Sequence, residues 1–147
     1  MMIPFLKKFK KVNSTEDVSD NEKNILITSL LIECGKGDYD FSDQEIYKIK
    51  DLIKNKLNID QPRVNLIFDK ALEMVEENVE LYSLTKDIRK NFKKEEILEI
   101  FEYMWTVVLA DGKIDDFEAA LMSKLVGLFH LTGKESAAAK KKAMSHQ

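Results

Sequence analysis

Two short acidic segments contain the side chains of this sequence that are best suited to chemistry. Asp38 and Glu45 lie in the first segment, and Asp111, Asp115 and Glu118 lie in the second. Calcium in proteins binds six to eight oxygen atoms from carboxylates, carbonyls and water. One segment is too short to supply them all, but two segments that converge can do so. We therefore predict a divalent-cation site at these five residues, with calcium preferred over zinc.

The same acidic residues also have a purely structural explanation. Ser42 with Glu45, and Asp115 with Glu118, have the spacing of a capping box, in which one side chain caps a free helix amide and the other reaches back. Acidic side chains near a helix N-terminus also oppose the positive end of the helix dipole. The segments are not EF-hands, because only seven positions separate the aspartate from the glutamate. Capping and cation binding both remain open at this point.

The other candidates for catalysis are weaker. His130 and His146 are the only histidines, and they do not form a helical ligand pair. His130 suits the end of a helix, and Cys34 suits a buried face as a small hydrophobe. We assign no catalytic and no cofactor-binding residue, and we predict that the protein is not an enzyme. A metal-dependent hydrolase that uses the same carboxylates is the enzymatic alternative.

Helices must position these side chains, because the apolar periodicity is helical along nearly the whole chain and no segment alternates as a strand does. Capping signals start helices near residues 19, 42, 60, 115 and 132. The last helix, rich in alanine and lysine, has little apolar surface to bury. The helix after the second acidic segment is predicted to bury Phe117, Leu121, Leu125 and Leu128. The core where this helix closes on the preceding one is predicted to contain Ile100, Phe101, Met104, Trp105, Leu121 and Leu125.

An internal repeat relates the two acidic segments. With a shift of 73 residues, segment 38–45 lies over segment 111–118, and the aspartate, apolar, cap and glutamate positions agree. An apolar helix precedes each copy, and an amphipathic helix follows it. The fold class is therefore predicted as all-α, a single bundle of seven to eight helices. It is built from two pseudo-twofold-related helix–acidic loop–helix halves.

The chain of 147 residues suffices for one domain. We divide it into an amphipathic basic helix at 1–11, a polar linker at 12–20 and a helical domain at 21–145. Positions 12–133 hold 15 basic and 25 acidic residues, so this body carries a net charge of −10, while both ends are basic. We therefore expect a protein partner and no nucleic acid.

Cysteine content and hydropathy bear on where the protein is found. A single cysteine is typical of a reducing compartment, and no apolar run is long enough to span a bilayer. We expect a cytoplasmic protein. Residues 1–11 place apolar side chains on one face of the predicted helix and four lysines on the opposite face. This pattern suits peripheral contact with an anionic membrane surface such as the inner membrane. Docking of this segment on the acidic body is equally consistent with its charge.

Residues 104–118, Met-Trp-Thr-Val-Val-Leu-Ala-Asp-Gly-Lys-Ile-Asp-Asp-Phe-Glu, resemble the signature helix and loop of the tellurite-resistance protein B-like (TerB-like) family. The shared pattern is an apolar helix, then Ala-Asp-Gly, a variable residue, an aliphatic residue and a glutamate four positions further. The resemblance extends from about Leu26 to Glu135. It implies an all-helical bundle of two related halves, found in bacterial stress proteins and in a membrane-anchored co-chaperone. The family's acidic loops have been proposed to bind divalent cations.

The first acidic segment departs from the family pattern at one position. Tyr39 stands where the family often has the glycine that matches Gly112. If that position requires a positive φ, a tyrosine resists it. The two loops are therefore expected to differ in backbone shape and in cation affinity.

These observations support two interpretations of function. The leading one is a non-enzymatic TerB-like stress-response and binding module, with a divalent cation and a protein partner as ligands. The alternative is a protein-interaction or co-chaperone-type helical domain in which the acidic loops only cap helices. Micromolar calcium affinity distinguishes the two.

Overall fold

Seven α-helices make up the described part of the chain, and no β-strand occurs there. The computed structural model describes residues 20–36, 42–77, 80–110 and 112–145. The helices are α1 (Asp20–Lys36), α2 (Asp43–Lys56), α3 (Gln61–Glu76), α4 (Leu81–Asn91), α5 (Lys94–Val108), α6 (Asp116–Leu128) and α7 (Gly133–Ser145). The predicted all-α fold is confirmed. The predicted basic helix at 1–11 and nearly all of the predicted linker at 12–20 lie outside the described residues.

Polar side chains begin the helices at the predicted places. Asp60 accepts a hydrogen bond at 3.2 Å from the backbone N–H of Arg63, and Pro62 occupies the first turn of α3. Thr132 accepts one at 3.1 Å from the backbone N–H of Glu135 at the start of α7. Such caps are favourable because the first amides of a helix have no partner within the helix itself.

Two helices end in the same backbone motif. Asn58 follows α2 and His130 follows α6, with left-handed φ angles of 57° and 58°. The backbone N–H of Leu131 donates to the carbonyl of Val126 at 2.9 Å, and Ile59 makes the equivalent bond after α2. This is the Schellman motif, which satisfies free carbonyls at a helix end. It turns the chain from α2 into α3 and from α6 into α7.

Helix α1 lies at the centre of the core and contacts every described helix from α2 to α6. Leu26, Leu30 and Leu31 are fully buried, and the polar residues Thr28 and Ser29 are buried beside them. The hydroxyls of Thr28 and Ser29 donate to the backbone carbonyls four residues earlier, at 2.7 and 2.8 Å. The core tolerates these two buried residues because their polar groups are satisfied locally.

The helices repeat as the sequence predicts. Helix α2 begins at residue 43 and α6 at residue 116, a shift of 73, and α1 and α3 correspond in the same way to α5 and α7. Helix α3 packs along α1, and α7 packs along α5, and these are the two most extensive helix contacts of the described chain. Helix α4 connects the two halves and has no counterpart among the described helices.

The predicted buried face of α6 is confirmed in part. Leu125 is buried, Leu121 and Leu128 are partly buried against the core, and Phe117 is exposed, so that prediction was wrong for Phe117. The buried residues of this helix are Glu118, Met122 and Leu125. A stripe of apolar residues cannot indicate that the polar Glu118 is buried in place of Phe117. The other five residues predicted for this part of the core, Ile100, Phe101, Met104, Trp105 and Leu125, are buried as expected.

The last helix packs more closely than the sequence suggested. Ser136, Ala139 and Ala143 on α7 are buried, and α7 lies along α5. The indole N–H of Trp105 donates to the Ser136 hydroxyl at 3.2 Å, and the Lys140 ammonium lies 5.1 Å from the centre of the same ring. Small side chains bury little area but let two helices approach closely. The small apolar surface of α7 therefore did not indicate how closely it packs on α5.

Among the described helices, none is both long enough and apolar enough to cross a membrane.

Candidate functional site

The second acidic loop ends in a complete capping box at the start of α6. Asp115 has extended backbone angles, φ −83° and ψ 170°, and its Oδ1 accepts the backbone N–H of Glu118 at 2.7 Å. The Glu118 carboxylate reaches back, and its Oε1 accepts the backbone N–H of Asp115 at 3.0 Å. Asp115 is exposed, whereas Glu118 is only 4% exposed. The fold therefore holds a buried carboxylate directly behind this loop.

The first acidic loop ends in the same way. The Ser42 hydroxyl accepts the backbone N–H of Glu45 at 3.1 Å, and Oε1 of Glu45 accepts the backbone N–H of Ser42 at 3.0 Å. Glu45 is buried, with 8% of its surface exposed. Both capping boxes predicted from the sequence are confirmed, and each buries its glutamate.

Capping glutamates also occur outside the acidic loops. Glu135 accepts the backbone N–H of Thr132 at 2.9 Å, and Glu96 accepts that of Lys93 at 2.8 Å. Glu135 also pairs with the Lys94 ammonium at 2.9 Å, and this hydrogen bond holds the pKa of Glu135 below its ordinary value. Unlike the two glutamates of the acidic loops, Glu135 is only partly buried and Glu96 is exposed. Capping explains the spacing of all four residues, but it does not explain the burial of Glu45 and Glu118.

The second loop lies near the end of α1, the helix after which the first loop begins. Burial raises the pKa of the Cys34 thiol well above its ordinary range, and the negative charges of Glu33 and Glu118 raise it further. Cys34 is fully buried near the C-terminal end of α1. Helix α6, which begins after the second acidic loop, contacts α1, which ends where the first acidic loop begins. The prediction that Cys34 is a buried hydrophobe is confirmed.

The raised pKa of Cys34 predicts a loss of stability at alkaline pH. An unfolded thiol ionises near pH ~8.5, whereas the buried thiol keeps its proton. Above that pH the unfolded state binds fewer protons than the folded state. The free energy of unfolding then falls by at most about 1.4 kcal/mol per pH unit for this group. Urea denaturation between about pH 8 and 10 measures the slope.

The matched variant for this measurement is Cys34→Ala, which should flatten the pH dependence. The pKa of Tyr103 is also raised, by burial and by its hydrogen bond to Glu99, but Tyr103 titrates in both proteins and cancels in the difference. Equal slopes for the parent and the variant would contradict the assignment to Cys34.

Gly112 adopts the positive φ angle that was considered above for this position of the loop. Its φ is +83°, a left-handed angle that side chains other than glycine rarely adopt. A methyl group added at its Cα would meet no atom within 4 Å, so the backbone angle, rather than space, requires a glycine here. Its counterpart Tyr39 lies outside the described residues, so the expected difference between the loops remains a prediction.

The predicted cation ligands are only partly described. Asp38 and Asp111 lie outside the described residues, and the positions of Glu45, Asp115 and Glu118 are those given above. Within the described ranges, no group of three or more histidine, cysteine or acidic side chains has the arrangement of a metal site. The five-residue cation site therefore remains a prediction that rests on the two outlying aspartates.

Sequence reasoning missed two sets of residues. The first comprises the buried polar side chains Glu22 on α1 and Thr85 and Asp87 on α4. An apolar stripe cannot reveal them, because polar side chains do not form part of such a stripe; the Thr85 hydroxyl, for example, is satisfied by the Tyr82 carbonyl at 3.0 Å. The second is a basic face of α4, whose signal was the spacing of Lys86, Arg89 and Lys90. His130 lies just after the last turn of α6, as predicted, and His146 lies outside the described residues.

Comparisons with known proteins place the chain in a family. The model of the family described as tellurite resistance protein TerB matches residues 24–141, which is most of the chain. Searches among curated proteins and among solved structures found no match. The matched residues include both capping boxes, both Schellman motifs and all or most of each of the seven described helices. The chain therefore belongs to the TerB family of tellurite resistance proteins.

Proposed function

We propose that this protein is a non-catalytic binding module of the TerB family and that its two acidic loops bind one divalent cation between them, calcium in preference to zinc. A role in the bacterial stress response, tellurite resistance included, belongs to the same proposal. The site consists of Asp38, Glu45, Asp111, Asp115 and Glu118. The observation that supports the proposal is that each acidic loop ends in a capping box with a buried glutamate, Glu45 or Glu118, and that α6 contacts α1, the helix that precedes the first loop.

Charge supplies the physical reason for binding. Carboxylates that two converging loops hold close together raise the free energy of the ion-free protein, because like charges repel one another. A divalent cation between the loops relieves that repulsion. Calcium suits such a site because it takes carboxylate oxygens in flexible geometry, whereas zinc prefers nitrogen and sulfur ligands.

The non-catalytic part of the proposal rests on the residue inventory. A hydrolase that uses these carboxylates needs an open coordination position and a base. The sequence has two histidines, and the described one, His130, follows the C-terminal end of α6, whereas Glu118 lies in its first turn. Ten residues of helix, at 1.5 Å rise per residue, amount to about 15 Å. His130 is therefore badly placed to serve the acidic loops.

A specific observation favours the alternative function. The capping geometry of the acidic loops recurs at Thr132 and Glu135, where no acidic loop is present. In this alternative the protein is a protein-interaction or co-chaperone-type domain, and the acidic loops only cap helices. We propose a protein partner in either case, and peripheral membrane contact through residues 1–11 remains a prediction outside the described residues.

Thermal melting in chelator and in calcium tests the cation site. At a free calcium concentration of 100 times the dissociation constant, the parent should gain about 2.7 kcal/mol in unfolding free energy. An Asp111→Asn/Glu118→Gln variant should lose most of this gain while keeping its helix cap, because glutamine also serves at the third position of a capping box. Zinc and magnesium in place of calcium measure the selectivity.

The matched control is Glu96→Gln, which changes the same chemical group at the start of α5, outside the acidic loops. It should melt like the parent in both conditions to within about 0.5 kcal/mol and keep the calcium response. Identical melting of the parent with chelator and with calcium would refute the calcium site and leave the loops as helix caps.

A further inference from the structure

A cleft between α4 and the C-terminal end of α6 lies away from the acidic loops. Its volume is about 460 Å³, within the range of small-molecule sites. One side of the cleft is lined by residues of α4, namely Tyr82, Lys86, Arg89 and Lys90. The other side is lined by Gly127, Leu128 and His130. About 15 Å of helix separates this cleft from Glu118, so the two sites are independent.

The lining of the cleft is basic in a protein that is acidic overall. Lys86, Arg89, Lys90 and His130 are among its seven lining residues, and no acidic residue is. The whole chain, by contrast, carries 26 acidic and 23 basic residues. Lys86, Arg89 and Lys90 stand three and four positions apart on α4, which puts them on one face of the helix. The field inside the cleft therefore favours an anion.

Arg89 is the least exposed cation of the lining. Its Nε is buried, so a ligand in the cleft cannot reach that atom. The side chain as a whole is partly exposed and lines the cleft. A guanidinium binds the oxygens of a phosphate in bidentate geometry, and the outer nitrogens of Arg89 are the donors for it.

His130 completes the basic lining. It occupies the left-handed position of its Schellman motif, where glycine is favoured and asparagine, aspartate and histidine are the side chains that adopt the angle most often; the equivalent position after α2 is Asn58. The turn accepts a histidine but does not require one. The turn places its imidazole at the cleft, across from the basic face of α4.

From the size of the cleft and its basic lining we propose that it binds a phosphomonoester on a small molecule. The basic side chains and the imidazole hold the phosphate, and the exposed ring of Tyr82 with Leu128 provides an apolar wall for the organic part. A long polyanion such as nucleic acid fits less well, because beyond the cleft it would run along a surface with an excess of acidic groups. The size of the cleft suits a mononucleotide.

The structural alternative is that these residues only offset helix dipoles. Arg89 and Lys90 lie in the last turn of α4, and cations are favourable at a helix C-terminus. That role affects stability but requires no ligand. Binding and stability must therefore be measured on the same variants.

Isothermal titration of the full chain with adenosine 5′-monophosphate, inorganic phosphate and adenosine tests the proposal. The monophosphate should bind saturably with one site and a dissociation constant of ~1 mM or lower. Adenosine should bind at least about tenfold more weakly, because it lacks the charge. If inorganic phosphate binds as tightly as the monophosphate, the site takes free phosphate; if it binds more weakly, the site takes an organic phosphate. Both results support a phosphate site.

Two variants and a matched control locate the binding. Arg89→Gln and Lys86→Gln/Lys90→Gln should each weaken monophosphate binding by about tenfold or more. Lys70→Gln/Lys124→Gln removes the same charge from exposed positions outside the cleft lining and should change the affinity less than about twofold. An equal loss in the control would show diffuse attraction and overturn the site. No saturable binding of either phosphate compound would also overturn it.

Two further measurements separate the remaining outcomes. His130→Gly relieves the left-handed backbone, so it should raise the melting temperature while weakening monophosphate binding; a rise in melting temperature with unchanged affinity would remove His130 from the site. A single-stranded oligonucleotide should bind no more tightly per site than the monophosphate. Much tighter binding with a steep salt dependence would overturn the small-molecule assignment in favour of a nucleic-acid surface.

Discussion

Phe101→Ala is expected to lower the free energy of unfolding by about 3–5 kcal/mol. The side chain is fully buried in α5, and its ring meets that of Phe129 edge to face, with the ring centres 5.9 Å apart and an angle of 88° between the planes. Truncation removes the buried ring and leaves a cavity between α5 and the end of α6. Since a typical domain is stable by only about 5–15 kcal/mol, the variant should lose a large part of its stability.

Urea denaturation followed by circular dichroism measures this loss, and Phe117→Ala is its control. Phe117 lies in the first turn of α6 with 38% of its surface exposed, so the same truncation there should cost less than about 1 kcal/mol. Similar losses for the two variants would mean that α6 is rotated from the orientation described above. The pair therefore tests which face of α6 is turned toward the core.

Ala143→Leu is expected to destabilise the protein by about 1–3 kcal/mol. Ala143 is fully buried on α7, and α7 packs closely along α5. A larger side chain has no space in this contact, so it must push the helices apart or adopt a strained rotamer. Leucine and alanine are both good helix formers, so the loss reports on packing rather than on helix propensity.

The control for this variant is Ala137→Leu on the same helix. Ala137 is exposed, so its replacement should change stability by no more than about 0.5 kcal/mol. Differential scanning calorimetry of both variants gives the comparison. If Ala143→Leu melts with the parent, the view of α7 as a tightly packed element of the core would have to be abandoned.

Interactions between residues close together in the sequence were enough to predict much of the fold. The cap residues Ser42, Asp60 and Asp115 lie next to the amides they satisfy, and the apolar residues of a helix recur within one or two turns. The helix starts, the all-α class and the shift of 73 between the halves could therefore be predicted from the sequence. Both buried capping glutamates were also predicted as capping residues, because the capping box spans only four residues.

The candidate sites were predicted less completely. The sequence identified Glu45, Asp115 and Glu118 as acidic residues at helix starts, but it could not reveal that Glu118 approaches Cys34, which lies 84 positions earlier in the chain. It also did not reveal the basic cleft. The cleft forms because the cations of α4 lie on one face of that helix and because the end of α6 packs beside them. The spacing of the cations can be seen in the sequence, whereas the position of α6 depends on the fold.

The sequence by itself determined where most of the helices begin, that they repeat, and that α1 buries the stripe of Leu26, Leu30, Leu31 and Cys34. These properties depend on interactions between residues a few positions apart. The tertiary structure decided which face of α6 is buried, how closely the small residues of α7 approach α5, and which charged side chains share a cleft. The physical reason is that each of these depends on the free energy of packing between distant segments. The packing of the whole helix buries Glu118, whose carboxylate is satisfied by the Asp115 backbone N–H, and leaves its neighbour Phe117 exposed, and no local pattern records that orientation.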